Sequence, residues 1–496
     1  MMAGVKSLAK DTAIYGVSSI VGRFLNWCLV PLYTIMFVAE QYGMVTYLYS
    51  FVALALIILT YGMETGFFRF ANNESYSKPT EVYTTSLISL ASTSTIFFVA
   101  VLLFLQPISD ALKIGTHSDY IWILALTVAI DAFTAIPFAY LRYKKRPLRF
   151  AYLKLVGIGL NIGFNLFFII LCPWLMKICP ESISWFYNPE YGIGYIFVAN
   201  LVSTVATLIL LFPELTSVKY RFNGELLKKM FIYSFPLLVL GIAGIMNQTI
   251  DKILFPYLIA DQNVALTELG IYGANYKIAI VMVMFIQAFR FAYEPFIFAQ
   301  NKEQGANKNK AYIDAMKYFI IFGLLIFLVV MFYLDILKYF IAPSYFSGLR
   351  VVPIIMLAEL FFGIFFNLSL WYKLTDKTQW GMYFSFIGLA MTVGLNVILV
   401  PRFGYIGCAW AAFACYFTMM IISYFVGKNR YPIRYDLRSA FFYFAVAGVL
   451  YGAATLVTIE SEVLRLGYRT ILLAIFIAII IKKEPLNIPF LKSTHK

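Results

Sequence analysis

Apolar stretches of about 20 residues recur from one end of the chain to the other, each long enough to cross a hydrocarbon slab of roughly 30 Å. Only short polar connections separate them. Burial in a soluble core is excluded by composition: of 496 residues, 61% are hydrophobic and 13% charged, where a soluble domain carries about 25% charge. The chain is read as an all-α polytopic membrane protein with about fourteen transmembrane helices, because only helices satisfy the backbone inside a segment surrounded by lipid. The spans fall near residues 12–37, 42–62, 82–105, 120–141, 150–176, 191–212, 230–258, 269–298, 312–334, 351–371, 380–400, 405–426, 440–458 and 466–481.

The count is checked by where Lys and Arg fall, since short loops rich in them stay cytoplasmic. With the N-terminus inside, "RYKKRPLR" (142–149), "KYRFNGELLKK" (219–229), "NKEQGANKNK" (301–310) and "KNRYPIRYDLR" (428–438) all lie inside. The outer loops hold few cations, and one mistaken span would have scrambled the alternation. Both termini are expected to be cytoplasmic, and most of the +14 formal charge is this bias. A nucleic-acid partner would want one contiguous basic face and is not expected. The first span is too long for the core of a cleavable signal and lacks a small-residue cleavage site. The five cysteines, Cys28, Cys172, Cys179, Cys408 and Cys415, show no metal spacing and are expected to pack as small apolar residues.

Two echoes mark an internal repeat. "LNIGFNLFFIILCPW" (160–174) leads into "YGIGYIFVAN" (191–200), and "LNVILVPR" (395–402) leads into "FGYIGCAWAA" (403–412). "EQYGMVTYLYSF" (40–51) is echoed by "TELGIYGANYKI" (267–278). Each of the latter opens a helix whose far end carries two charges, Glu64 with Arg69 and Arg290 with Glu294. Spans one to six thus repeat as seven to twelve. An even number of spans per copy gives two bundles related by an axis along the membrane normal, flanking a cavity that opens alternately to each side. The predicted boundaries are 1–218, 219–433 and a remainder, 434–496, holding the last two spans.

A charge at the bilayer centre costs on the order of 3 kcal/mol and needs a partner or a water-filled face. The candidates are Arg23, Asp131, Asp251, Lys252, Lys277, Arg290, Glu294 and Glu359. Lys154 and Lys317 lie near an interface and can snorkel. Arg290 and Glu294, four apart on one helix face, either neutralise each other or leave Arg290 for a ligand. Arg23, three residues from Asn26, and Lys277 lack local partners and would bring cations to the seam between the bundles. Asp131 and Glu359 are either coupling sites for H⁺ or Na⁺ or partners to a cation. Asp251 and Lys252, about 100° apart on the helix, are not expected to pair only with each other. Asn26, Asn161, Asn165, Asn247, Gln248, Asn367 and Asn396 are expected to bond between helices. Gly62 and Gly66, spaced as GxxxG beside Glu64, predict close helix packing. Pro236 and Pro256 bracket span seven and make it the candidate moving element.

No loop exceeds about 20 residues, so there is no room for an independent catalytic domain. The two histidines, His117 and His495, lie outside the spans. There is no GxxxxGK[ST] loop, and neither a selectivity filter nor an acidic ring is visible. No catalytic residue, cofactor or metal is expected, and a secondary transporter remains.

"YGVSSIVGRFLNWCLVPLYTIMFVAEQYGMVTYLYSFV", "YGMETGFFRF", "GIYGANYKIA", "QAFRFAYEPF" and "LVPRFGYIGCAWA" resemble, in that order, the oligosaccharide and polysaccharide flippases of the multidrug/oligosaccharidyl-lipid/polysaccharide exporter superfamily. The resemblance implies two six-helix lobes plus two C-terminal helices that could bound a groove for a polyprenyl tail. It also implies movement of an undecaprenyl-pyrophosphate-linked oligosaccharide between leaflets of a bacterial inner membrane, for surface glycans such as lipopolysaccharide O-antigen. A glycan polymerase complex is an implied partner besides lipid. Arg23, Lys277, Arg290, Lys252 and Asn26 are then the candidate contacts of the pyrophosphate. Asp131, Glu359, Asp251, Glu294 and Glu64 are coupling sites or charge partners. A multidrug antiporter or a lipid II flippase of the same superfamily is the alternative.

Overall fold

The computed structural model describes residues 16–484, less positions 17, 19, 73–77, 116, 301–306, 376, 378 and 432 and the side chains at 292, 294–300, 307–309 and 373. Each predicted span coincides with a helix, and no strand occurs among the described residues. Among the described residues twelve helices are long and apolar enough to cross a membrane, and two shorter apolar ones complete the set. In chain order they are α1 (Ile20–Met36), α2 (Ala39–Ala71), α3 (Pro79–Leu103), α4 (Ser118–Tyr143), α5 (Pro147–Ile178), α6 (Gly194–Leu210) and α7 (Gly224–Leu258). They continue as α8 (Gln262–Phe291), α9 (Lys310–Phe332), α10 (Pro343–Tyr372), α11 (Gln379–Phe403), α12 (Tyr405–Arg430), α13 (Leu437–Leu456) and α14 (Glu462–Lys483). Packing divides the chain into two compact units: Met1–Ala274 with Ser385–Tyr405, and Asn275–Phe384 with Ile406–Lys496.

In the first unit, α2 breaks at Tyr61 (φ 32) and Gly62 (φ 69). Two successive left-handed residues end one helix at Thr60 and start another at Met63, a conformation that glycine adopts without Cβ strain. Ser234 of α7 fills the notch. Its hydroxyl donates to the Gly62 carbonyl at 3.3 Å, and a Cβ on Gly66 would collide with the same hydroxyl, so the GxxxG spacing does mark close packing. The segment beyond the break buries Phe67 and Phe70 among Tyr83, Leu87, Ile136, Tyr140 and Met230, with Tyr83 and Tyr140 stacked at 4.1 Å. In α5, Pro173 cannot donate to the preceding turn, and the helix widens to a π turn over Phe167–Leu171 just before it. α7 stays unbroken, with Pro236 and Pro256 inside it rather than at its ends.

The repeat is visible in contacts of this unit. Gly43 of α2 lies against Gly270 of α8: a Cβ on Gly43 would strike the Leu266 carbonyl, and one on Gly270 would strike the Ala39 carbonyl. Each carbonyl belongs to the residue four before the opposing glycine, so the contact is reciprocal. Two residues before Gly43, Gln41 reaches Gly192, and two before Gly270, Glu268 accepts the Tyr405 amide at 3.2 Å beside Gly404. Gly192 (φ 52) and Gly404 (φ 55) make the left-handed turns ahead of α6 and α12. Asn165 and Asn396 each donate to the carbonyl one turn back, that of Asn161 and Thr392. The architecture is all α, with two pseudo-symmetric six-helix bundles followed by α13 and α14.

In the second unit, close packing again uses glycine: a Cβ on Gly363 would strike Phe319, which stacks on Phe285 at 5.3 Å. α14 is tied to the α9 side at both ends. Arg465 and Arg469 share the Asp335 carboxylate at 2.8 and 2.7 Å. At the opposite end Lys317 donates to Glu484 at 2.6 Å and the Tyr443 hydroxyl donates to the other Glu484 oxygen at 3.1 Å.

Candidate functional site

Charged side chains gather inside the first unit. Glu64 lies just past the break in α2 and accepts from the Arg142 guanidinium at the end of α4, so its ion-pair partner is Arg142 and not Arg69. Arg69 instead lies 4.1 Å above the Tyr233 ring. The Arg142 guanidinium is 5.1 Å from the Phe68 ring centre, and its Nε is buried without a partner among the described residues. Lys154 of α5 is exposed. Its ammonium sits 3.9 Å over the Phe138 ring of α4, within electrostatic range of Asp131 on the same helix. Asp131 also accepts from the Thr204 hydroxyl of α6 at 3.3 Å. Two carboxylates and two cations share this interior, with Arg69 one turn away.

Asparagines join α1 to α5. Asn161 donates to the Asn26 oxygen at 3.4 Å, Asn165 to the Asn161 side chain at 3.2 Å, and the Tyr33 hydroxyl to Asn165 at 2.9 Å. Arg23 is exposed one turn before Asn26. In α7, Lys252 folds back onto Asp251 at 3.0 and 3.1 Å and onto the Gln248 carbonyl at 2.9 Å. The Tyr272 hydroxyl of α8 completes the set at 3.0 Å from Asp251, so the adjacent pair does not pair only with itself.

In the second unit the Tyr276 hydroxyl donates to buried Glu359 at 2.5 Å. Lys277 is half-buried. The Arg290 guanidinium lies over the Phe366 ring, 3.7 Å from its centre; the Glu294 side chain lies outside the described residues. In the same unit an apolar groove of about 570 Å³ runs between α9, α10, α12 and α13. Its walls include Ile320, Phe361, Phe417 and Phe441, with Lys317 and Asp436 at one end. Phe417, Phe425 and Phe441 are exposed, so the groove is open along its side. Among the described residues no three His, Cys, Asp or Glu side chains come together as a metal site would require.

Sequence reasoning missed Arg142, Thr204 and Tyr276, and set Lys154 aside as an interfacial cation. The signal for Lys154 was available: α4 and α5 run antiparallel around the 142–149 turn, which returns Lys154 toward Asp131. Arg142 gave none, because its position looks like that of any cation in an interfacial loop.

Solved structures share this fold. Lipid II flippase MurJ, in an inward closed conformation, superposes with a TM-score of 0.72 at 12% identity, covering 96% of this chain and 99% of that one. A multidrug resistance MATE family transporter of the MOP superfamily in its inward-facing conformation gives 0.66 at 14% identity, over 82% of this chain and 94% of that one. An outward-facing conformation of such a transporter gives 0.55 at 14% identity, over 85% and 95%. No curated protein matches the chain significantly. A family model described as polysaccharide biosynthesis protein matches residues 8–301, more than half of the chain. This multi-pass membrane chain, carrying paired charges within its helices, belongs to the polysaccharide biosynthesis protein family.

Proposed function

We propose that this chain is a secondary transporter that moves undecaprenyl-pyrophosphate-linked oligosaccharide repeat units from the cytoplasmic to the periplasmic leaflet of a bacterial inner membrane by alternating access. The product would feed surface polysaccharide such as O-antigen. The observation that carries this reading is the apolar groove of the second unit, open along its side, in a chain of a polysaccharide family. A polyprenyl tail must stay at membrane depth while its head crosses, and a groove walled by Phe361, Phe417 and Phe441 gives part of that tail a place. A soluble organic cation has no use for one.

The head group brings negative charge, which arginine and lysine can hold in place of water. Arg23, Lys252, Lys277, Arg290 and Asn26 are the proposed contacts, joined by Arg142 and Lys154. An arriving pyrophosphate would draw Arg142 and Lys154 away from Glu64 and Asp131. The carboxylates so released would take up H⁺ or Na⁺, and Asp251, Glu294 and Glu359 are the further candidates for that exchange. The repeated bundles would be 1–218 and 219–433, with 434–496 flanking the tail and both termini cytoplasmic.

Deleting the gene and measuring cellular undecaprenyl-linked oligosaccharide tests the reading. Accumulation cleared by wild type, but not by Arg290→Ala at equal expression, is the expected result. Accumulated lipid II would assign the substrate differently. New sensitivity to cationic drugs without any accumulated glycolipid would overturn the proposal in favour of a multidrug antiporter.

A further inference from the structure

The Lys- and Arg-rich end of the first unit holds a second cavity, of about 450 Å³, that the transport reading does not use. It lies where the α4–α5 turn meets the segment following α6 and is lined by Tyr140, Lys144, Arg146, Arg149, Glu214 and Ser217. Lys145, at φ 53, makes the turn tight. The amides of Lys144, Lys145 and Arg146 bond back to the carbonyls of Tyr140, Arg142 and Leu141, which fixes where the basic side chains leave the backbone. α5 then begins at Pro147 with Arg146 as its N-cap, no side-chain cap and no acidic residue in its first turn.

This charge pattern is the reverse of what a helix start favours. The N-terminal end of a helix carries partial positive charge and is stabilised by anions, yet Arg146 and Arg149 stand there. Glu214, 5% exposed, accounts for Arg149 alone, accepting two bonds from its guanidinium, one at 3.0 Å. Three cations line the cavity against one carboxylate. Among the described residues, Lys144 and Arg146 form no ion pair. A helix start is itself an anion site, and an anion bound there relieves the repulsion among the cations gathered on it. The neighbouring surface is apolar, with Leu148, Tyr152 and Phe212 exposed by 74%, 60% and 62%, as expected where acyl chains cover the protein.

We propose that this cavity binds a phosphate group carried by a membrane lipid, held by Lys144 and Arg146 with Arg149 oriented by Glu214. Two lipids could bring that group to this face: an anionic phospholipid of the leaflet, or the prenyl pyrophosphate awaiting transport. Native mass spectrometry of the purified full chain with phosphatidylglycerol, undecaprenyl pyrophosphate or diacylglycerol tests it. Phosphatidylglycerol is expected to bind and diacylglycerol not. The double substitution Lys144→Gln with Arg146→Gln should weaken phosphatidylglycerol roughly thirtyfold, from about one tenfold step or less per cation. Ser217→Asp, which adds a carboxylate to the same cavity from a different segment, should weaken it as well. Undecaprenyl pyrophosphate binding about tenfold tighter than phosphatidylglycerol would identify the transported lipid as the source; similar affinities would identify the leaflet. Retention of phosphatidylglycerol by both variants, or equal binding of diacylglycerol, overturns the proposal.

Discussion

Glu64 and Arg142 meet from α2 and α4 with side chains 43% and 30% exposed. Solvent screens such a pair, and its coupling is worth on the order of 0.5–1 kcal/mol. Its importance for transport would lie in exchange of partners, not in stability. Glu64→Arg or Arg142→Glu alone is expected to abolish glycolipid export at near-normal protein levels, and the double reversal to restore a measurable fraction of it. Export unaffected by either single change would remove the pair from the mechanism. The sequence marked Glu64 as a charge at the far end of its helix but set Arg69 beside it, because Arg69 is near along the chain while Arg142 is near only in space. Asp131 and Glu359 were likewise visible as buried charges. Their hydroxyl donors, Thr204 and Tyr276, were hidden because both residue types are also ordinary filler in apolar helices.

Glycines at helix crossings carry the second lesson. The Gly43–Gly270 contact leaves no room for a methyl group on either side, and the obstruction is backbone, which cannot rotate away. Gly43→Ala and Gly270→Ala should each destabilise the protein in detergent by roughly 1–3 kcal/mol, the cost of overpacking. Gly244→Ala in α7, where a Cβ meets nothing within 4 Å, should be neutral or stabilising by up to about 1 kcal/mol through helix propensity. Thermal unfolding of the three variants decides the point; equal melting temperatures would mean that α2 and α8 can separate freely. Both glycines stand in the segments whose likeness revealed the repeat, so this crossing was half legible. The break at Tyr61–Gly62 was not. Hydropathy is blind to a left-handed turn, and the prolines that drew attention to α7 leave that helix continuous.

Fourteen apolar runs and the placement of lysine and arginine between them predicted the number and order of the helices, and every one has its counterpart among the described residues. The division into compact units was not legible, since α8 and α11 are each shared between two units and hydropathy says nothing about which helices touch. The expected orientation can be measured directly. With Cys179 as the only cysteine, a membrane-impermeant maleimide should label intact spheroplasts. With Asn223→Cys as the only cysteine, labelling should await permeabilisation, and the opposite pattern would invert the topology. The reciprocal glycine crossing bears on history as well as packing. A contact in which each side presents the same residue to the other is what a symmetric dimer forms across its two-fold axis. Here it joins two segments of one polypeptide, as it would after gene duplication and fusion had sealed an ancestral pair of six-helix subunits at the face where they once met as separate chains.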